Sequence, residues 1–244
     1  MSIMSTRSAR RLATALTVGA TAAALALGPG SPALAATPAV KGQAQAQTTF
    51  DADTGDCTLV HPDPSNTQIV TVPTTGTKKF SRSASATGSA VSTGDPTDSV
   101  TMKATNTVTG SVTGAGGAFS KMSATMTQSA KITMSKGFGS DCDPQIVTGG
   151  TAAALAHVKK AGTITMRITV PPSGLGEMII QGTSGPGSVV VSYLHKGTHT
   201  VTQKVKPGDY QIIGILQTPT EFAPPLYSLE SSGRATFSAT YKAS

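Results

Sequence analysis

The chain has 244 residues, 19 basic and 12 acidic side chains, no Trp, four Tyr and six Phe. A formal charge of +7 would suit a nucleic-acid partner, but the basic residues are scattered and stacking aromatics are few, so no nucleic-acid interface is expected. The same scarcity of Trp and Tyr speaks against a sugar site built on aromatic platforms.

Residues 1–35 carry Arg7, Arg10 and Arg11, an apolar run from Leu12 to Leu27, and the small-residue site Ala33-Leu34-Ala35. These are the parts of a secretory signal, with cleavage expected after Ala35. Removing the three arginines leaves 16 basic against 12 acidic side chains, so the mature charge falls to +4. No later apolar run reaches the roughly 20 residues that a membrane helix needs, so a secreted, extracellular protein that leaves the membrane is expected. Residues 36–49 are Ala, Gln, Thr and Pro with almost no large apolar side chain, which predicts a flexible leader.

Asp51, Asp53 and Asp56 lead into Cys57. After a short strand at Thr67 to Val72 comes the longest ordered pattern in the chain, Lys79 to Ser135. Val100, Met102, Ala104, Asn106, Val108 and Val112 alternate with Thr101, Lys103, Thr105, Thr107, Thr109 and Thr113. This period of two marks a half-buried strand. It resumes after Gly114-Ala115-Gly116-Gly117 and is preceded by a similar run from Phe80 to Ala90 before the turn at Gly94-Asp95-Pro96. Three strands in sequence predict an antiparallel meander. Cys57 and Cys142 bracket it, and as the two cysteines of an exported chain they are expected to form a disulfide that stabilises by roughly 4 to 5 kcal/mol in the chain-entropy model.

Ile146 to His157 reads equally as a strand or a short helix. Alternation returns at Thr163 to Val170, and further strands are expected at 177–181, 188–194, 199–206, 210–216 and 234–241. Short strands at this spacing predict an all-β antiparallel sandwich, a long N-terminal meander followed by a second set of short strands. The division is a disulfide-stapled domain over 50–157 and a C-terminal module over 158–244, or one continuous sandwich. Val205-Lys206-Pro207-Gly208-Asp209-Tyr210-Gln211-Ile212 resembles the V-x-P-G-x-Y-x-I hairpin of secreted bacterial β-sandwich modules, including the pre-peptidase C-terminal type. The resemblance covers the last third of the chain and implies a non-catalytic accessory module.

Four places invite chemistry. Asp51, Asp53, Asp56, Asp141 and Asp143 flank the cysteines and offer oxygen ligands for calcium, against solvated turn residues as the plainer reading. His195 and His199, on either side of Lys196-Gly197-Thr198, would face each other across a hairpin and could share a metal, although zinc needs three or four ligands. Arg82, Asn106 and Gln128 interrupt the apolar face of the meander. Pairing Val112 with Ala118 sets Asn106 opposite Ala124 and Gln128 opposite Met102, while the first hairpin sets Ala84 opposite Asn106, so the three could form the floor of a polar or anionic ligand site. Finally, the outward Thr101, Thr105, Thr107 and Thr109 could form a regular surface-binding array.

For serine hydrolysis the nearest match to G-x-S-x-G is Gly182-Thr183-Ser184-Gly185-Pro186, which fails at the last glycine. His61, His157 or His195 would matter to an enzyme only if buried in a cleft beside a carboxylate. The expected function is therefore a secreted, non-catalytic interaction or structural protein of the bacterial cell exterior, with a cell-wall component or extracellular protein as partner. A secreted hydrolase with an unrecognised site is one alternative, and a calcium-stabilised or Thr-array surface-binding protein is the other.

Overall fold

A computed structural model describes residues 39–51, 57–61, 65–115, 118–135, 143–182, 189–221 and 228–244. Among them are no helices and thirteen strands: β1 (Ala39–Asp51), β2 (Cys57–His61), β3 (Ser65–Pro73), β4 (Gly76–Ser92), β5 (Ser99–Ala115), β6 (Ala118–Met134), β7 (Asp143–Val158), β8 (Gly162–Val170), β9 (Leu175–Gly182), β10 (Val189–Leu194), β11 (Gly197–Val205), β12 (Gly208–Glu221) and β13 (Ser228–Ala243). They form two antiparallel sheets that do not close into a barrel, a β-sandwich. The first sheet has the order β10-β9-β12-β7-β1-β3 and the second β11-β8-β13-β6-β5-β4-β2.

Alternation decides which side chains enter the space between the sheets. From the second sheet come Phe80, Val100, Met102, Val108, Val112, Met122, Met126, Ile132, Ile164, Met166, Ile168 and Phe237; the first contributes Ile146, Met178, Ile180, Ile212 and Leu216, all buried. Opposing these large groups, the inner faces of β1 and β7 are mostly Ala and Gly. A Cβ on Gly42 would lie 2.7 Å from the Phe80 ring, one on Gly150 would meet Met126 and Val108 at 3.0–3.1 Å, and one on Gly214 would lie 2.4 Å from the Phe237 ring. Large side chains of one sheet thus fill the space left by missing side chains of the other, which keeps the interior dense without Trp.

This complementarity explains the main departure from expectation. Residues 36–49 were expected to form a flexible leader, but Ala39 to Asp51 is an interior strand, paired with β3 on one side and β7 on the other. Val40, Gly42, Ala44, Ala46 and Thr48 are buried while Lys41, Gln43, Gln45 and Gln47 point away from the core. The period of two is present, but small residues of low strand propensity carry it, and only the bulky face of β4 and β5 makes them useful.

The two halves of the chain are not separate bodies. Residues 38–244 form one compact unit, and β13 joins the meander by pairing with β6 while β8 and β11 extend the sheet beyond it. Ile146 to His157 resolves as strand, lying within β7 between β1 and β12. The Val205–Ile212 stretch does not make a hairpin within one sheet. β11 pairs with β8 in the second sheet and β12 with β7 and β9 in the first, so the chain crosses between layers at Pro207-Gly208. Gly208 has φ 151° there, a backbone that favours glycine, and the Tyr210 hydroxyl donates to Lys206 O at 3.0 Å and accepts from Lys206 N at 3.1 Å. A tyrosine tied to the backbone just upstream is a recurrent corner device in Greek-key sandwiches.

Candidate binding face of the second sheet

The three polar residues on the meander's apolar side occupy two different settings. The β5–β6 register places Asn106 directly opposite Gln128 and Val112 opposite Met122, not the pairing expected from a tight glycine turn. Most of the shift arises because the strands stay paired as far as Ala115 and Ala118, so the turn closes later than expected, and the β-bulge between Thr113 and Gly114 moves the register by one residue more. Ala84 does face Asn106 as expected.

Asn106 and Gln128 are 0% and 2% exposed. Asn106 Nδ2 donates to Gln45 O at 3.3 Å and to Gly149 O, and Gln128 Nε2 donates to Thr148 O and Leu216 O at 3.3 and 3.4 Å while its Oε1 accepts from Thr218. They therefore stitch the second sheet to β1, β7 and β12 of the first, because a buried amide without partners would be costly. Arg82, on the same strand face, is exposed; its Nε donates to Ile69 O of β3 at 3.2 Å and its Nη1 to Ser81 O at 3.0 Å. The convergence thus involves only the two amides, and protein atoms occupy the space around them.

The histidine pair does not face across a hairpin. His195 follows β10 in the first sheet and His199 lies on β11 in the second, opposite Ile168, so the expected facing does not form because β10 and β11 do not pair. Their link is His199 Nε2 to His195 O at 2.8 Å. His157 does sit beside a carboxylate, Nδ1 to Asp209 Oδ1 at 2.7 Å, but both side chains are over 40% exposed and form a cross-strand pair on the outward side of the first sheet. Among the described residues no group of three or more His, Cys, Asp or Glu is placed to hold a metal.

Around the cysteines, Asp53, Asp56 and Asp141 lie outside the described residues, as does Cys142. In the backbone register Asp51 stands opposite Asp143, the first residue of β7. Cys57 opens β2, with its backbone opposite Ser92.

The outward face of the second sheet holds a different arrangement. Its cross-strand rows are nearly all hydroxyl-bearing. Ser81, Thr109, Thr125, Thr236, Thr169 and Thr198 make one row across six strands; the next runs Lys79, Ser111, Ser123, Ser238, Arg167 and Thr200. Many hydroxyls pair across strands, including Ser83–Thr107 at 2.8 Å, Ser111–Ser123 at 3.1 Å and Thr169–Thr198 at 3.1 Å. The Thr101, Thr105, Thr107 and Thr109 row read from the sequence is one column of this array.

Between these two rows lies a trough of about 890 Å³, lined by the Ser and Thr side chains that the rows take from β4, β5, β6, β13 and β8, with Lys79 at one end and Arg167 at the other. Phe80 and Phe237 lie beneath it, their rings buried in the core. Gly110 forms part of the floor, where a Cβ would lie 2.4 Å from Phe80. The hydroxyl column on β5 is legible in the sequence and the trough is not, because β13 and β8 reach it only through long-range pairing.

No protein-family model and no curated protein matches the chain. Among solved structures, a bsmA homolog from Methylobium petroleophilum PM1 aligns at 13% identity over 41% of this chain and 42% of that one, with a TM-score of 0.17. The GH31 alpha-xylosidase from Xanthomonas citri aligns at 11% identity over 65% of this chain and 23% of that one, with a TM-score of 0.20. The chain thus spans less than half the length of either structure.

Proposed function

We propose that the chain is a secreted, non-catalytic β-sandwich of the bacterial cell exterior that applies the outer face of its second sheet to a cell-wall component. The lining of the trough carries this reading. It consists of Ser and Thr hydroxyls, one lysine, one arginine, Gly110 and the apolar Ala124, Phe80 and Phe237 beneath them, with neither His nor carboxylate, so it offers groups that hold a ligand and no acid–base pair to turn one over. The N-terminal arginines, apolar run and Ala33-Leu34-Ala35 support export. The trough in the array favours a chain-like ligand over a flat crystalline face.

The test is to incubate the purified secreted protein with isolated cell-wall material and follow sedimentation and fragment release together. Co-sedimentation without released fragments is expected. Release of fragments would overturn the non-catalytic reading, and failure to co-sediment would overturn the wall-binding one.

A further inference from the structure

The charge on the outer face of the second sheet is strongly one-sided. Four cations frame the hydroxyl floor: Lys79 and Arg167 at its two ends, Lys121 one outward-facing position beyond Ser123 on β6, and Arg234 one such position beyond Thr236 on β13. Farther out on the same face stand Lys103, Lys131, Lys204 and Lys242. Of the twelve carboxylates in the chain, only Glu230 lies on the outward positions of β4, β5, β6, β8, β11 and β13, and it pairs with Lys131. The four framing cations are exposed and make no ion pair among the described residues. The outward face of the first sheet differs, with Lys41 balanced by Glu177 and Asp209 and with Ile179, Ile213 and Ile215 between them.

Resting on the functional reading above, we propose that this face binds a linear acidic polysaccharide lying in the trough across the strands. Its length follows from the sheet: Lys79 and Arg167 are four strand spacings apart, about 19 Å at about 4.8 Å each, farther than a small anion can bridge. Its acidity follows from eight cations facing one carboxylate, a field that attracts a repeating anion and weakens with salt. Its sugar character follows from the floor. A hydroxyl has one donor and two acceptor lone pairs, so the Ser111–Ser123 pair still offers a donor and free lone pairs to ligand hydroxyls after making its own bond. Nucleic acid fits less well, because no aromatic ring faces outward in the trough for bases to stack on.

The experiment measures binding of the purified secreted protein to polygalacturonate, with dextran as neutral polysaccharide, poly-L-glutamate as polyanion without sugar, and a single-stranded oligothymidylate. Polygalacturonate should bind best, and its affinity should fall on raising salt from 50 to about 300 mM. The combined variant Lys79→Gln, Lys121→Gln, Arg167→Gln and Arg234→Gln should bind about tenfold more weakly, with an unchanged melting temperature because all four side chains are exposed. Lys41→Gln, on the other sheet, should bind as wild type. Dextran or oligothymidylate binding as tightly as polygalacturonate, polyglutamate matching it, or an unaffected fourfold variant would each overturn the proposal. If that variant still sediments with wall material as wild type does, the trough is not the site and the wall-binding reading survives; if wild type itself does not sediment, that reading falls.

Discussion

Asn106 offers a quantitative test of the inter-sheet stitch. It is fully buried and its amide nitrogen faces two carbonyl oxygens, those of Gln45 and Gly149, while its Oδ1 has no hydrogen-bond partner. Asn106→Asp is nearly isosteric but replaces the donor with an acceptor. The introduced carboxyl would be desolvated beside carbonyl dipoles, both of which disfavour its ionised form and raise its folded pKa above the unfolded value of about 3.9. A group raised in this way costs nothing extra below its unfolded pKa and destabilises increasingly as pH rises toward its folded pKa. A rise of about three units at about 1.36 kcal/mol each gives about 4 kcal/mol lost between pH 4 and pH 7, a large part of a typical domain stability of about 5–15 kcal/mol. Asn106→Leu should be within about 1 kcal/mol of wild type at both pH values, since it removes an unsatisfied oxygen together with the donor and adds apolar burial. Urea unfolding of the three proteins at pH 4 and pH 7.5 reads these differences directly. A small, pH-independent effect of Asn106→Asp would mean that water reaches the site and that the amide does not join the sheets.

Three further outcomes are expected. Gly214→Ala should destabilise by about 1 to 3 kcal/mol, because the new methyl meets the Phe237 ring at 2.4 Å, and adding Phe237→Leu should recover part of that loss in urea denaturation. Asp95 Oδ1 accepts from the Thr97 hydroxyl at 2.7 Å and the Thr97 backbone N–H at 2.9 Å, and these bonds hold its carboxyl below the usual value; its contribution to the turn is therefore present above the unfolded pKa and lost as pH falls through the folded one, and Thr97→Val should raise the midpoint seen by NMR titration. If Cys57 and Cys142 are bonded, as we propose, Cys57→Ser with Cys142→Ser should lower stability by about 4 kcal/mol without weakening wall binding, and mass spectrometry of the secreted protein should find no free thiol.

What local sequence determined here is strand identity and facing. The alternation of Val100 to Val112 against Thr101 to Thr113, and of Ile164 to Val170 against Thr165 to Thr169, fixes which side chains are inward because successive residues of an extended chain point to opposite sides. The hydroxyl column of β5 follows from that rule alone. Where the inward residues are small, as in Val40 to Thr48, the same rule operates but its signal is weak, and the strand becomes recognisable only when Phe80 is found filling the place of the side chain that Gly42 lacks. Sheet membership was decided by tertiary structure. β10 and β11 are neighbours in sequence yet join different sheets, which separates His195 from the expected pairing with His199, and β13 returns from the end of the chain to lie between β6 and β8. The trough depends on that return, since Thr236 and Ser238 complete the rows begun by Thr109 and Ser111. A period of two shows which way a side chain points, whereas its neighbour across the sheet depends on pairings between residues more than a hundred positions apart.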